Sequence, residues 1–312
     1  MEQPVTISII TPVYRVKEYI GRFVDSALGQ SYPHIQFIFV NDETDDSSID
    51  ILKSMIQTKY AHLKDRVLIM DQPHSGLPSA RKTGMTCATG DYVWHVDSDD
   101  WLEKDAVRKI AECASQTDAD LIYFNFYREY GDKVELEVER DYDSSEKLDY
   151  QRHMYEHKAY GCVWNKCVKR SIFLDNTIHT PKFSHAEDAF LMSQVVGYAD
   201  SIVHLNDYLY HYRKDNPNAL TRQGRKRRCN ELIRNYLYLC ELYQDVQDNP
   251  VAGIMDDIFY RAGRYSLIYG LGLFDEYPYL ADRIAAARIK CNAYTSVPVQ
   301  LVLKLYSYFL RR

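Results

Sequence analysis

Three carboxylates, Asp97, Asp99 and Asp100, fall within four residues of the stretch HVDSDDW, directly behind the apolar run YVW. Like charges this close repel and raise one another's pKa, so the cluster is costly unless a cation sits among them. Asp97 and Asp99 are two apart. An extended chain would point both to one face, and a turn would spread them while keeping them near one point. Hard oxygen ligands of this kind suit Mg²⁺ or Mn²⁺, ions that keep several waters and take one or two carboxylates together with substrate phosphates. A diphosphate is therefore the implied second ligand. The competing reading is a helix start, with Ser98, Asp99 and Asp100 capping WLEKDAVRKIAECA, where acidic residues favour the helix dipole. A second acidic pair, Glu187 and Asp188, heads the helical pattern EDAFLMSQVVGY and carries the same two readings, chemistry or dipole compensation.

The elements that must position these groups decide between the readings. TISIITPVY reads as a strand ending in a proline turn, EYIGRFVDSALGQ as a helix and IQFIFVND as a second strand. SSIDILKSMIQTKY follows as a helix capped by its serines, RVLIMDQ as a third strand, LPSARKTGMTCA as a helix and DYVWHVD as a fourth strand. Such βαβαβαβ alternation implies a mainly parallel, Rossmann-like sheet flanked by helices, whose ligands bind beyond the carboxyl ends of the strands. Thr11, Pro12 and Tyr14, then Asn41 and Asp42, then Asp71 through Gly76, then the carboxylate cluster all fall at that one edge. A mere helix cap need not lie there, which favours the metal and diphosphate. A helix and strand continue over about 104–125, and the polar region of about 129–145 reads as a hairpin or loop. Past the basic run GRKRR the pattern is helical. The expected organisation is a catalytic domain over 1–221, with a nucleotide half of about 1–103 and an acceptor half of about 104–221, followed by a helical region over 222–312.

The 312-residue chain is 46% hydrophobic and 26% charged with a net charge of -6, an ordinary globular balance that argues against nucleic acid as its main partner. Seven cysteines without metal-ligand spacing, and an N-terminus that enters a strand pattern at once, read as reduced thiols in a cytoplasmic protein. The 27 tyrosines suit half-buried packing, sugar stacking or a membrane interface. The C-terminal run VPVQLVLKLYSYFLRR is too short and interrupted to span a bilayer, but suits lying on its inner face, packing on the catalytic domain or joining a homo-oligomer.

The motifs TPVY, VNDETDDSS, HSGLPSARKTG, GDYVWHVDSDDW, WNKCVKRSIF and EDAFL, in this order and spacing over roughly 7–212, resemble family-2 glycosyltransferases of the GT-A fold, of the polysaccharide-building kind. That resemblance implies an α/β GT-A fold and transfer, with inversion, of a sugar from a nucleotide diphosphate sugar to a hydroxyl of a glycan or lipid-linked acceptor. By the same resemblance Thr11, Pro12 and Tyr14 wall the nucleobase pocket and Asp42 accepts a hydrogen bond from base or ribose. Gly76 admits the nucleotide, Arg81 or Lys82 neutralises ribose or phosphate oxygens, Asp97 with Ser98 meets the ribose or donor sugar, and Asp99 holds Mn²⁺ or Mg²⁺. Asp188 is the general base with Glu187 orienting it and Lys166 as a neighbouring charge, His211 is a further metal ligand or a packed residue, and Arg213 is a phosphate contact. Trp164 offers an acceptor-stacking face or a buried ring, and His185 lies beside the acidic pair. Two departures stand out: Asn41, Asp42 and Glu43 where an acidic pair followed by glycine is common, and Ala80, Arg81 and Lys82 where ARN is common. A UDP-sugar is the favoured donor. The alternatives are a sugar nucleotidyltransferase, which wants a Gly-rich basic loop absent from TPVYRVKEY, and a non-catalytic sugar-nucleotide-binding subunit.

Overall fold

Seven residues, ISIITPV, are β-branched or small enough to form a strand buried along its whole length, β1 (Ile7–Val13), and the sheet grows from it. The structure, a computed structural model, describes residues 3–217 and 224–286. In chain order α1 (Ile20–Leu28), β2 (Ile35–Asn41), α2 (Ser48–Thr58), β3 (Val67–Asp71), α3 (Leu77–Cys87) and β4 (Tyr92–His95) realise the expected alternation. Then come β5 (Trp101–Leu102), α4 (Ala106–Thr117), the hairpin β6 (Leu121–Tyr130) and β7 (Lys133–Glu137), α5 (Lys147–Tyr155), β8 (Lys166–Lys169), α6 (Ser171–Asp175), α7 (Glu187–Tyr198) and β9 (Ile202–Arg213). The C-terminal helices are α8 (Arg225–Tyr243), α9 (Met255–Tyr269), α10 (Leu273–Glu276) and α11 (Leu280–Ala286).

The chain divides into two compact units, Met1–Thr180 with Leu191–Ala219, and Pro181–Phe190 with Leu220–Arg312. The first contains a sheet in the order β3-β2-β1-β4-β8-β6-β9-β5, with β7 added to β6. β3, β2, β1 and β4 run parallel. β8 is antiparallel to both β4 and β6, and β9 is parallel to β6 but antiparallel to β5, so the expected mainly parallel sheet is continuous over β3 to β4 and mixed beyond. Val13 pairs Asn41 and Asn41 pairs Asp71, so the loops after β1, β2 and β3 leave the sheet at one level. α3 presses against that sheet at Gly84, where a Cβ would come 2.3 Å from Ile10 Cγ2, a distance no side chain could occupy. The serine cap expected for α2 takes another form: Ser47 makes no side-chain cap bond, and Ser48 Oγ instead donates to Asp46 and accepts from Val16 N.

In the second unit α8 packs on α9 and α9 on α11, around Ile233, Leu237, Ile258 and Ile284. Among the described residues no helix is long and apolar enough to cross a membrane, and the run VPVQLVLKLYSYFLRR lies outside them.

One buried group works against the stability of this fold. His95 closes β4 with 3% of its surface exposed, and neither ring nitrogen has a hydrogen-bond partner among the described residues. Burial, with Arg81 nearby, lowers its pKa from 6.5 to about 3. The unfolded chain therefore takes up this proton first, and the protein loses stability as pH falls from about 6.5 towards 3. His95→Phe is expected to raise stability by about 1 kcal/mol at pH 7.5, because it removes unpaired polar atoms of similar shape. Its advantage should widen as the solution is acidified to pH 5. Parallel denaturant titrations at the two pH values check this, and an advantage that shrinks on acidification contradicts it.

Candidate active site

Beyond the ends of β1, β2 and β3 the chain builds a tight polar corner. Asp42, 2% exposed, accepts the backbone N–H groups of Ser75 and Gly76 at 2.9 Å each and the Gln72 amide at 2.6 Å, and its Oδ2 lies 2.8 Å from His74 Nδ1. One carboxylate thus folds the whole 72–76 loop, and Gly76 (φ 84°) turns it into the first turn of α3. The base-reading role expected of Asp42 is therefore shared with a loop-holding role that already engages both oxygens. Of the three residues expected to wall the pocket, Thr11 and Pro12 are enclosed in β1, with the Thr11 hydroxyl buried and unpartnered among the described residues. Tyr14 itself leaves the strand and stacks on His74, ring centroids 4.3 Å apart at 19°. His74 carries this corner with no role expected of it from the sequence, and Glu43, noted there only as a departure at a glycine position, accepts its backbone N–H.

The carboxylate cluster lies beyond the end of β4, on a turn into β5. Asp97 is paired with Arg81 of α3 at 2.8 Å, Arg81 being buried, whereas Lys82 on the same helix is exposed. Ser98 is buried. Asp99 accepts from Asn216 Nδ2 at 2.7 Å, while its carbonyl accepts from Arg213 Nε at 2.9 Å. Asp100, fully buried, accepts from Tyr210 Oη at 2.6 Å and from Arg213 N at 2.7 Å. Burial raises the Asp99 carboxyl above the usual range. Burial followed by repulsion from Asp99 and Asp97 pushes Asp100 well above it. So Asp100 is no helix cap; α4 starts later, at Ala106, and Asp100 anchors the cluster to β9. The structure brings Arg81, Asp97, Asp99 and Arg213 together as expected, and adds Tyr210 and Asn216.

Three other expectations change. His211 sets Nδ1 2.7 Å from Glu129 and Nε2 2.9 Å from Glu103, and its ring lies flat between Trp101 and Tyr127, at 4.9 Å and 4.4 Å. With both nitrogens on carboxylates it has none to offer a metal, so its placement is that of a packed residue holding β5 to β9. Trp164 is buried, stacked on Tyr210 at 4.6 Å and edge-on to Phe126, so it braces the tyrosine that holds Asp100. Lys166, 1% exposed, gives its ammonium to the carbonyls of Tyr160 and Cys162 and to Asn165 Oδ1 at 2.6, 2.9 and 2.7 Å. Its three donors are spent on that loop. Asn165 in turn donates to the buried Glu139, whose carboxyl burial pushes up.

The acidic pair Glu187 and Asp188 occupies the first turn of α7 and, with the preceding segment, belongs to the second unit. Ala186 takes a left-handed backbone (φ 62°) just before it. Asn235 of α8, fully buried, fixes that segment from both sides: its Oδ1 accepts from Lys182 N and Phe183 N, and its Nδ2 donates to the carbonyls of Phe183 and His185. Tyr238, one turn on, stacks on Phe190 and lies under the Lys182 ammonium. No local pattern around Asn235 announces this, because its partners lie about fifty residues upstream.

Comparison with known proteins places this geometry. The family model "Glycosyl transferase family 2" matches residues 8–175. The uncharacterized glycosyltransferase EpsJ of Bacillus subtilis is 32% identical over 221 residues, 69% of this chain and 62% of EpsJ. Glycosyltransferase GlyA of Streptococcus pneumoniae is 30% identical over 220 residues, 66% of this chain and 30% of GlyA. The chain thus spans less than two thirds of the length of these relatives. Among solved structures, S. aureus TarS in complex with UDP-GlcNAc superposes with a TM-score of 0.71 at 19% identity, over 98% of this chain and 88% of that one, a likeness of GT-A fold. With the strand order and the polar edge already described, the match over more than half its length shows that this chain belongs to glycosyl transferase family 2.

Proposed function

We propose that the protein is an inverting glycosyltransferase that moves a sugar from a nucleotide diphosphate sugar, UDP-linked by preference, to a hydroxyl of a glycan or lipid-linked acceptor in surface polysaccharide synthesis. The observation that carries the reading is the convergence, at one sheet edge, of Tyr14, the loop folded around Asp42, and three carboxylates beside Arg81 and Arg213. A uridine nucleotide accords with the TarS neighbour, which is described with UDP-GlcNAc, although a mannosyltransferase of the same general fold is described with GDP-Man and Mn²⁺.

The donor set fits a divalent ion. Among the described residues no three His, Cys, Asp or Glu side chains are grouped to hold a metal by themselves, so a bound ion would take further ligands from diphosphate and water. Burial raises the carboxyls of Asp99 and Asp100, and at Asp100 repulsion from Asp99 and Asp97 adds to it, a repulsion that a bound cation would relieve. Asp99 would hold Mn²⁺ or Mg²⁺, and the bound ion would stabilise charge on the departing diphosphate. Arg213, fixed across the Asp99 carbonyl, supplies a second positive group for that charge, and Arg81 orients Asp97 towards the ribose or donor sugar. Asp188 takes the acceptor proton as the acceptor oxygen bonds to the anomeric carbon. The anomeric C–O bond breaks with its electron pair leaving on the β-phosphate oxygen. Glu187 assists, and Asn235 holds the segment that presents both.

The test is proton NMR of donor turnover with Mn²⁺, water serving as slow acceptor. From a UDP-α-sugar the first free sugar is expected as the β anomer. An α product would overturn inversion, and pyrophosphate-dependent conversion of the UDP-sugar to UTP and sugar 1-phosphate would favour the nucleotidyltransferase reading.

A further inference from the structure

One face of the Tyr14 ring is already covered. His74 lies flat on it, and the same imidazole sets Nδ1 2.8 Å from Asp42 Oδ2 and 3.2 Å from the Asp42 carbonyl oxygen, its hydrogen-bond partner. A planar nitrogen heterocycle that stacks on a tyrosine and sets a ring nitrogen against the oxygens of Asp42 presents what a nucleobase would present: uracil has its N3–H for that purpose and guanine its N1–H. We infer that His74 stands in the nucleobase's place in the nucleotide-free protein and that donor binding displaces it, so that His74 sets donor affinity. This rests on the donor-site reading above.

Two observations single out His74 as the exchangeable partner. Asp42 takes its other hydrogen bonds from the Gln72 amide and from the backbone of Ser75 and Gly76, parts of the loop it folds. The His74 side chain is 49% exposed against 4% for Asp42, so the imidazole can swing into water while the backbone donors of Ser75 and Gly76 stay in place. The second observation is Glu43, which stands where resembling enzymes commonly have glycine. It adopts a left-handed backbone (φ 53°), a conformation costing a side-chain-bearing residue roughly 1 kcal/mol. Its Oε2 accepts the His74 backbone N–H at 3.0 Å. The strained residue is thus the one that fastens His74 beside Tyr14.

Calorimetric titration of UDP and GDP with Mn²⁺ into the wild type, His74→Ala and Glu43→Gly tests this, with inorganic pyrophosphate as the probe that lacks a base. His74→Ala is expected to tighten binding of the preferred nucleotide about five- to tenfold, because apparent affinity scales with the open fraction of the site. Glu43→Gly should shift it the same way by less, and pyrophosphate affinity should not change. Weaker nucleotide binding by His74→Ala would make the imidazole a wall of the base pocket and overturn the inference, as would an equal gain for pyrophosphate. If neither nucleotide binds wild type or variants, the donor-site reading falls too. If the wild type binds and neither variant gains, the displacement alone falls.

Discussion

Asp188→Asn should abolish most sugar transfer while leaving the nucleotide site intact. A positioned general base contributes about 10²–10⁴-fold, so kcat is expected to fall by that factor, about 3–5 kcal/mol of barrier. The dissociation constant for UDP with Mn²⁺ should stay within about twofold, because the proposed role of Asp188 is towards the acceptor proton and not the nucleotide. The carboxamide keeps the volume of the side chain, and loss of one negative charge in the first turn of α7 costs about 0.3–1 kcal/mol of helix stabilisation. Asp188→Asn is thus folded and slow rather than unfolded. Glu187→Gln should lose less, since an orienting group acts through the base. Single-turnover measurements separate these steps, and unchanged turnover in Asp188→Asn would move proton abstraction to another residue.

The parts of the fold written in local pattern were legible. Strands β1 to β4 and helices α1 to α3 lie where alternation of β-rich and helical periods puts them, because each buries a face set by residues a few positions apart. The polar edge followed, since parallel strands in register end together. The carboxylates of HVDSDDW were readable as a cluster but not as individuals. Asp100 resembles a helix start until Tyr210 and Arg213, more than a hundred residues on, are seen to hold it. Separation in sequence likewise hid the fate of His211, whose carboxylate partners come from β6 and from the turn after β5, and of Trp164, whose stacking partner is on β9. Antiparallel additions such as β8 obey no local rule that sequence spacing exposes. Asp42 shows the limit from the other side. Its type and place at a strand end suggested ligand recognition, and a loop thirty residues later had already claimed its oxygens.

Asp99→Asn carries the second large effect and bears on the central claim, that the carboxylate edge is half of a site completed by a metal and a diphosphate. The amide retains an acceptor for Asn216 Nδ2 and removes one charge from a crowded triplet. Because repulsion from Asp99 helps push Asp100 upward, the variant should be as stable as the wild type or more so, by about 1 kcal/mol. It should nevertheless lose turnover by at least about 10²-fold, the scale for removing a charge-stabilising element of a transition state. Stability gained with function lost is the mark of a site whose carboxylates are kept for a ligand. The decisive measurement is the affinity of UDP for wild type and Asp99→Asn, each with Mn²⁺ and with EDTA. The account predicts that Mn²⁺ tightens UDP binding to the wild type by about tenfold or more and leaves Asp99→Asn unchanged, a coupling near 1.4 kcal/mol tied to one carboxylate. Nucleotide binding indifferent to Mn²⁺ in the wild type, or a full Mn²⁺ response in Asp99→Asn, would contradict it.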